Sequence, residues 1–377
     1  MDFSFSEEQV AIGEVAKSIF GASSSASADA PPPPTGEDWL DRSVWAKLSK
    51  GNLLGTGLSS DVGGSGLGLL ETCMILQEQG KHLGRVPAIM TLAVAAPAID
   101  QFGSSEVREA LLPRVVDGDC ILSAALVEAR SFDDADLATT VKTVSNDSWR
   151  LDGEKICVPF AKVSDRILVP AKVSESETAV VVVDPTTEGV YLELQETTNG
   201  QPEYRVVLDN VSITEQDFLG GPGERADVYR WLLERATVAT CAVQLGVTEQ
   251  VLAMTAAYTS QREQFGHPIA MFQAVALRAA DAYLAVECIR STMWQAAWTL
   301  AEGRDASQAI HVAKFWASEA GERVTAAGQQ LHGGMGVDTD YPLHRYTFWS
   351  KHNELSLGSG HAHLAKIGAA LAAGSHA

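Results

Sequence analysis

Positive charge is scarce in this sequence of 377 residues. Its 28 Lys and Arg stand against 48 Asp and Glu, so the formal net charge is −20 at pH 7. A nucleic-acid partner needs clustered Lys and Arg to neutralise its phosphates, and we expect no such partner. An anionic ligand would gain no long-range attraction from the molecule as a whole. Any anion site must therefore be made by residues in its immediate neighbourhood.

Cysteine and long apolar runs are scarce as well. The five cysteines are widely spaced and form no Cys-x-x-Cys pair, which favours reduced thiols in the cytosol over disulfides. No apolar run approaches the ~20 residues that cross a bilayer. The first nine residues are acidic and amphipathic, unlike a signal peptide. We expect a soluble cytoplasmic protein without membrane insertion.

A metal site is also not expected, although histidines occur in pairs. His361 and His363 are two residues apart, and side chains at that spacing diverge by about 200° on a helix. No Cys or carboxylate lies at ligand spacing from them, so we predict no metal and two solvent-facing imidazoles. His332 and His344 flank a Gly-Gly segment and are candidates for contact with a phosphate or a partner.

Three regions with different sequence patterns follow one another along the chain and predict an α+β fold. Residues 1–118 read as an N-terminal helical domain. Residues 119–225 hold short β-branched runs bounded by turn formers, which predicts a middle antiparallel β domain. Residues 226–377 predict a C-terminal four-helix bundle, with long helical patterns at 226–260, 271–301, 306–331 and 351–372.

Three local sequence signals in the first domain predict a helix start, a linker and a loop. Ser6–Gln9 predicts a capping box at the start of a helix, and 23–34, which ends in four prolines, predicts an exposed linker. The glycine-rich segment 61–68 lacks the Gly-Lys-Ser/Thr ending of a phosphate loop. We interpret it as a tight loop between helices, with Leu67 and Leu69 packing inward.

Four motifs occur in an order that points to one family. The most specific is Arg-Glu-Gln-Phe-Gly-His-Pro-Ile over 262–269, with Phe-Gln at 272–273. The others are Leu-Asp-Gly-Glu-Lys at 151–155, Gln-Leu-His-Gly-Gly-Met-Gly at 330–336 and Asp-Tyr-Pro-Leu-His-Arg at 340–345. Together with the domain texture they resemble the acyl-CoA dehydrogenase family over nearly the whole chain. The resemblance implies FAD and α,β-desaturation of an acyl-CoA, in which a carboxylate takes the α proton and flavin takes the β hydrogen as hydride.

The resemblance gives cofactor-binding roles to six residues. A guanidinium can hold the FAD pyrophosphate in a bidentate contact, and glycine lets the backbone approach a cofactor closely. In the family these contacts reach across a subunit interface to the neighbour's flavin, so they describe what this chain gives to a partner. The implied set is Arg262 at the pyrophosphate, Phe265 near the adenine, Gln273 and Gln330 as amide partners, and Gly333 and Gly334 as points of close approach.

The positions expected around the reactive ring depart from the family pattern. Of Thr-Glu-Pro and Gly-Ser-Asp, the stretch 127–134 keeps only Glu128. Cys157-Val158-Pro159 replaces Trp-x-Thr, and proline cannot donate a hydrogen bond. Leu357 occupies the position of the catalytic glutamate. We therefore predict no catalytic residue in this chain.

Substitute bases are weak candidates. The second base position of the family falls at or near Ala236, and Glu234 lies about 200° away from it on a helix. Glu354 lies three residues before Leu357 on roughly the same helix face. It is the best local substitute, and the alternative for it is a solvated helix glutamate.

The leading hypothesis is the base-lacking subunit of a heteromeric acyl-CoA dehydrogenase. A second dehydrogenase-like chain would complete an α2β2 assembly with FAD between the two chain types, and electrons would pass to an electron-transfer acceptor. Residues 337–345 are similar to actinobacterial heteromeric members that act on steroid side-chain CoA thioesters. Two alternatives stay open. One is a self-sufficient homotetramer with an unusual base, and the other is a structural or regulatory protein without a flavin.

Overall fold

The structure is a computed structural model, and it describes residues 4–23, 36–129, 137–145, 148–174, 177–221 and 225–374. Within these ranges the chain divides into two compact units. One comprises Met1–Pro32, Cys73–Gly84 and Thr237–Ala377, and the other comprises Pro33–Thr72 and Arg85–Ala236. The three predicted domain ranges stay a prediction. The predicted linker over 23–34 lies, apart from Ser23, outside the described residues.

Helices supply most of the described chain. They are α1 Glu7–Gly21, α2 Arg42–Lys50, α3 Leu69–His82, α4 Ala96–Phe102, α5 Ser105–Asp117, α6 Arg225–Gln261, α7 Gln273–Ala301, α8 Ser307–His332, α9 Leu343–Leu355 and α10 Gly360–Ala372. A π-helical segment, Ile89–Ala95, leads directly into α4. No helix in these ranges has the length and apolarity that crossing a membrane requires.

The helix starts and ends follow local chemistry. The predicted capping box is confirmed, because the Ser6 side chain accepts from Gln9 N–H and the Gln9 side chain accepts from Ser6 N–H. The predicted helix over 351–372 is wrong, since it is two helices, α9 and α10. The break comes at Leu357 and Gly358, whose φ values are 57° and 96°, outside the right-handed helical region.

The strands form one main sheet and one small hairpin. They are β1 Leu122–Ala124, β2 Thr140–Ser145, β3 Ser148–Pro159, β4 Arg166–Lys172, β5 Thr178–Val183, β6 Val190–Gln195, β7 Glu203–Ile213, β8 Phe218–Leu219, β9 Glu263–Gln264 and β10 His267–Pro268. The sheet order is β6-β7-β3-β2-β4-β5-β8, with β1 beside β4. Its pairs are antiparallel, as predicted, except that β1 and β2 each pair with β4 in parallel.

The first unit is a helical bundle in which two glycines allow a close crossing. A Cβ on Gly80 of α3 would lie 2.1 Å from the carbonyl oxygen of Val243 in α6, and one on Gly246 would lie 1.9 Å from that of Gln77. Any larger residue would push the two helices apart. Within the same unit α8 packs against α7, α9 and α10, so the C-terminal helices form the predicted bundle.

The glycine-rich segment 61–68 is a tight loop, as predicted. Gly64 N–H and Gly66 N–H donate to the carbonyl oxygens of Ser59 and Leu58 at 3.0 and 2.8 Å. Leu69 is buried and Leu67 is half-buried. The amides that a phosphate loop would present are therefore used within the chain.

A buried ion pair ties the sheet of the second unit to the segment before it. Lys155 Nζ of β3 donates to Glu128 Oε1 at 2.6 Å, and both side chains are at most 4% exposed. The carboxylate also accepts from Ala138 N–H and Thr139 N–H at 2.6 and 3.1 Å. Burial opposes ionisation, but the charge and hydrogen bonds of these donors outweigh it and lower the pKa of Glu128.

Removing one partner of this pair should be strongly destabilising. Lys155→Met leaves a buried carboxylate without its cation, and we expect a loss of about 3–5 kcal/mol in the free energy of unfolding at neutral pH. Lys142→Met is the control, because Lys142 is exposed and lies 3.7 Å from Asp152, so its loss should stay within ~0.5 kcal/mol. Urea unfolding of the full chain measures both.

The pH dependence gives a second check on the same pair. Because the wild-type pKa of Glu128 is lowered, its contribution is present above the ordinary Glu range and is lost as the pH falls through the lowered value. In Lys155→Met, Glu128 can take a proton instead. The difference between the two proteins should therefore begin to shrink as the pH falls towards the ordinary Glu range, where the variant's buried carboxyl group takes its proton, and shrink further below about pH 4 as the wild-type pair is lost. A difference that does not change with pH would contradict the ion pair.

Candidate functional site

The segment after α6 is a short hairpin that displays an aromatic ring. Strands β9 and β10 pair His267 with Gln264 and leave Phe265 and Gly266 as the two turn residues. Both have positive φ, 57° and 88°, as a type I′ turn requires. The end of α6 leads into the turn, since Arg262 N–H donates to the Tyr258 carbonyl at 2.8 Å.

Phe265 is strained and exposed at once. A left-handed conformation costs about 1–2 kcal/mol for a residue with a Cβ, yet the Phe265 side chain is 90% exposed. Its only ring contact within the described chain is an edge-on approach to Phe272 at 6.1 Å between ring centroids. His267 Nδ1–H donates to the Phe265 carbonyl at 3.1 Å and steadies the turn. A strained, exposed aromatic residue indicates a binding role.

The second part of the site follows α8. Gly333, the residue after the helix, has φ 60° and ψ −133°, a combination open essentially to glycine. A Cβ placed on Gly333, Gly334 or Gly266 would meet no described atom within 4 Å. Open space therefore lies over all three glycines, and a ligand or partner can approach their backbone closely.

A buried aromatic contact brings the two parts together. The Tyr258 and His332 rings stack with centroids 4.4 Å apart, which places the last turn of α6 beside the last turn of α8. His332 Nδ1–H donates to the Gly328 carbonyl at 2.7 Å, and Nε2 accepts from the Tyr341 hydroxyl at 3.2 Å. Burial lowers the pKa of His332, so the imidazole is neutral.

The expectation that His332 contacts a phosphate or a partner is wrong, because it is 3% exposed and its two nitrogens are engaged within the chain. His344 is half-buried, and its Nδ1–H donates to the Tyr341 carbonyl at 2.8 Å. Both imidazoles thus hydrogen-bond to residues on either side of the Gly-Gly segment, namely Gly328 and Tyr341.

The six predicted cofactor residues share one property: all of them are exposed. Within the described chain, the side chains of Arg262, Gln273 and Gln330 take part in no hydrogen bond or ion pair. The set offers a guanidinium, two amides, an aromatic ring and two open glycines, which fits the pyrophosphate and adenosine parts of FAD. It is formed by Arg262, Phe265, Gln273, Gln330, Gly333 and Gly334.

The loop between α9 and α10 carries the position expected for the base. Leu357 stands there, half-buried and with positive φ. His363 Nε2–H donates to its carbonyl at 3.0 Å. Beneath the loop, the fully buried Lys314 donates to the carbonyls of Asn353 and Glu354 at 2.9 and 3.0 Å, which caps the end of α9.

Within the described residues, Lys314 and His363 are buried without a charged partner in direct contact. Burial lowers the pKa of Lys314 to about 8 and that of His363 to about 4. The prediction that His363 faces solvent is wrong, since it is 3% exposed and accepts a hydrogen bond at Nδ1 from His311 Nδ1, 3.0 Å away. His361 is exposed, as predicted. Over the described ranges no three His, Cys, Asp or Glu residues are grouped as a metal site would need.

Glu354 is held in an ion pair. Its Oε2 accepts from Lys351 Nζ at 2.6 Å, and the carboxylate is 17% exposed. The alternative expected for Glu354 was a solvated helix glutamate. The structure instead shows a partly buried glutamate paired with Lys351 on the same helix. Ala236, the other base position, is fully buried and has no carboxyl group to offer.

The ring-side positions lie in the other unit. Val127 bridges to Ile156, and Glu128 is committed to Lys155; residues 130–134 of this stretch lie outside the described residues. Cys157 is exposed, with a φ of 52° at an irregularity of β3, and its N–H donates to Gln195 Oε1 at 2.8 Å. Pro159, at the expected threonine position, is buried and has no donor.

Sequence reasoning missed two buried groups. Glu203 starts β7 and is buried, and burial raises its pKa to about 7 against hydrogen bonds from the Cys157 thiol and Gln201. Lys314 lies on the buried stripe of α8 with Ile310, Ala313 and Ala317. The spacing of that apolar stripe was the available signal for Lys314. No comparable sequence pattern indicated that Glu203 is buried.

Comparisons with known proteins agree with the fold over both ends of the chain. The family model described as the acyl-CoA dehydrogenase N-terminal domain matches residues 6–119, and the one for the C-terminal domain matches residues 226–372. The acyl-CoA dehydrogenase FadE27 of Mycobacterium tuberculosis is 37% identical over 344 residues, 89% of this chain and 90% of the relative.

Two solved complexes are similar over nearly their full length. A chain of the ChsE4-ChsE5 complex from Mycobacterium tuberculosis is 34% identical with a TM-score of 0.90, covering 99% of both chains. A chain of a variant of the Tcur3481-Tcur3483 steroid ACAD is 38% identical with a TM-score of 0.90, covering 98% of this chain and 99% of that one. With both domain models matched, this chain belongs to the acyl-CoA dehydrogenase family, whose cofactor is FAD.

Proposed function

We propose that this chain is one subunit of a heteromeric acyl-CoA dehydrogenase and gives its FAD contacts to the active site of a partner subunit. One observation carries the proposal. The polar side chains of the cofactor set are exposed and have no partner in the part of the chain that the structure describes, whereas the expected base position holds Leu357 and the expected threonine position holds Pro159. The chain thus keeps the residues that can bind the FAD of a neighbouring subunit, and it lacks the base and the threonine that an active site of its own would need.

Each of the four side chains of the set has a definite task in this arrangement. Arg262 holds the pyrophosphate by charge-assisted hydrogen bonds, the ring of Phe265 packs on the adenine, and Gln273 and Gln330 hydrogen-bond the adenosine part. When bound, FAD accepts the β hydrogen of the substrate as hydride. The partner subunit supplies the carboxylate that takes the α proton.

The solved relatives support a second chain and a substrate class. ChsE4-ChsE5 is a complex of two proteins, and the Tcur3481-Tcur3483 enzyme is described as a steroid ACAD. We assign to this chain a dehydrogenase-like partner in an α2β2 assembly, a steroid side-chain CoA thioester as substrate and an electron-transfer acceptor for the electrons. A base-lacking half-site also leaves room for a bulky polycyclic acyl group at the other.

Co-expression with the partner subunit tests the subunit assignment. We expect an assembly with about one FAD per heterodimer, measured by flavin absorbance against protein concentration, and dehydrogenase activity only in the assembly. The chain expressed alone should have no activity. A homomer of this chain that binds flavin and is active without the partner would contradict the proposal.

Arg262→Ala should weaken the binding of FAD at the shared cofactor site. Loss of charge-assisted hydrogen bonds, about 1.5–3 kcal/mol, should weaken FAD binding by the assembly roughly tenfold or more, as measured by flavin release on dilution. Arg42→Ala is the control, because Arg42 is an exposed arginine of α2, and it should leave the FAD content unchanged. If the chain is only a structural homologue, Arg262→Ala will also leave it unchanged.

Glu354→Gln and Glu203→Gln should leave turnover of the assembly within about twofold of wild type. Neither carboxyl group serves as base in our proposal, and Glu354 is already paired with Lys351. Steady-state kinetics with a saturating electron acceptor measure kcat for both variants. A fall of 10²–10⁴-fold in either, the usual effect of losing a general base, would favour the self-sufficient enzyme.

A further inference from the structure

The segment Gly333–Gly336 holds a defined backbone conformation with almost no side chains to fix it. Three of its four residues are glycines, and Gly333 has φ 60° and ψ −133°. A Cβ on Gly336 would lie 2.7 Å from the Gln329 carbonyl oxygen, so the backbone there lies directly against the last turn of α8. Because glycine gives the backbone its widest freedom, the conformation of this segment has to be fixed by the residues that flank it.

The backbone hydrogen bonds that follow the segment leave its position open. Val337 N–H donates to the Gly334 carbonyl at 3.3 Å, and Asp338 N–H donates to the Met335 carbonyl at 3.4 Å. Both bonds are longer than the usual range of about 2.7–3.2 Å. Since they join residues of the same loop, they do not tie the loop to the helices of the bundle.

Tyr341 supplies that tie, because it is held at both ends. Its hydroxyl donates to His332 Nε2 at 3.2 Å, and its carbonyl accepts from His344 Nδ1–H at 2.8 Å. His332 Nδ1–H in turn donates to the Gly328 carbonyl of α8 at 2.7 Å. The two histidines that flank the Gly-Gly segment in sequence therefore meet at one tyrosine, which closes the loop onto α8.

The protonation states of the two rings make the hydroxyl the donor. The Gly328 carbonyl can only accept, so the His332 proton lies on Nδ1. Burial lowers the pKa of His332 and leaves Nε2 with a lone pair. Burial also raises the pKa of Tyr341, so the phenol keeps its proton. Without this hydroxyl, the Nε2 acceptor of the buried His332 would lose its donor.

We propose that Tyr341 is a positioning residue of the cofactor surface. Its hydroxyl closes the loop 333–341 onto His332, and this closure holds Gly333 and Gly334 in the conformation that FAD approaches. Tyr341 acts through the two glycines and needs no contact with the cofactor. The inference rests on the proposed function, because that proposal assigns FAD to this surface.

Hydrogen–deuterium exchange of the full chain alone tests the closure without FAD or a partner. In Tyr341→Phe, amide exchange over 333–341 should become about threefold to tenfold faster, as expected for the loss of one hydrogen bond. Tyr191→Phe is the matched control, because Tyr191 is an exposed tyrosine of β6, and it should exchange as wild type does. Unchanged exchange over 333–341 in Tyr341→Phe would overturn the proposal.

Titration of the assembly with FAD tests the positioning role. Tyr341→Phe should raise the Kd for FAD about threefold to tenfold and leave kcat at saturating FAD within about twofold of wild type, because only cofactor binding is affected. A fall in kcat as large as the rise in Kd would indicate a general structural defect and overturn the positioning role. Tyr191→Phe should change neither quantity.

Arg262→Ala separates this inference from the function on which it rests. An unchanged Kd for FAD in Tyr341→Phe, together with a raised Kd in Arg262→Ala, would overturn the positioning role and leave the proposed function standing. An unchanged Kd in both variants would instead overturn the proposed function.

A double-mutant cycle locates the effect of Tyr341 in the Gly-Gly segment. Gly334→Ala alters the same segment, so adding Tyr341→Phe to it should raise the Kd for FAD by less than it does in wild type. Arg262 contacts the cofactor from the other part of the surface, so Arg262→Ala and Tyr341→Phe should act additively. Additive effects of Gly334→Ala and Tyr341→Phe would contradict a role through the segment.

Discussion

The stacking of Tyr258 on His332 is the contact on which the proposed cofactor surface depends. It joins the last turn of α6 to the last turn of α8, with ring centroids 4.4 Å apart. The Arg262 turn and the Gly333-Gly334 segment, about 70 residues apart in sequence, therefore form one surface. Because burial keeps His332 neutral, the imidazole accepts from Tyr341 and donates to Gly328 at the same time. A protonated imidazole could not accept the first of these hydrogen bonds.

This support explains how a chain of net charge −20 can serve an anionic cofactor. Long-range attraction is absent, so the pyrophosphate must be met by a local cation with a fixed geometry. Arg262 directly follows the helix that the stacked pair anchors, and the strained turn behind it presents Phe265 outward. The backbone strain of about 1–2 kcal/mol at Phe265 is carried by the chain alone and can be offset when the ring is covered.

The parts of the fold that could be predicted from sequence are those specified locally. Ser6 and Gln9 specify the start of α1, and apolar periodicity places α6, α7 and α8 within two residues of their observed ends. The break at Leu357 could not be predicted, because the loop around this leucine with positive φ is held by side chains of two other helices, Lys314 of α8 and His363 of α10. The Glu128–Lys155 pair spans 27 residues, and no local pattern specifies it. For the site, motifs could identify the exposed cofactor residues, but only packing shows that His332 is internal.

The loop that carries Leu357 is held by buried groups of α8 and α10. Lys314 is buried with the carbonyl groups at the end of α9 as its acceptors, and His363 holds the Leu357 carbonyl. Releasing the loop would remove two of the three acceptors of this buried ammonium group and leave it with Ser318 Oγ at 3.1 Å, which would cost several kcal/mol. The conformation of the loop is therefore required by the packing of α8, α9 and α10, whatever residue stands at 357. In our proposal, Leu357 offers no proton acceptor while the scaffold stays intact, so a subunit without its own base would still present a cofactor surface to a neighbour.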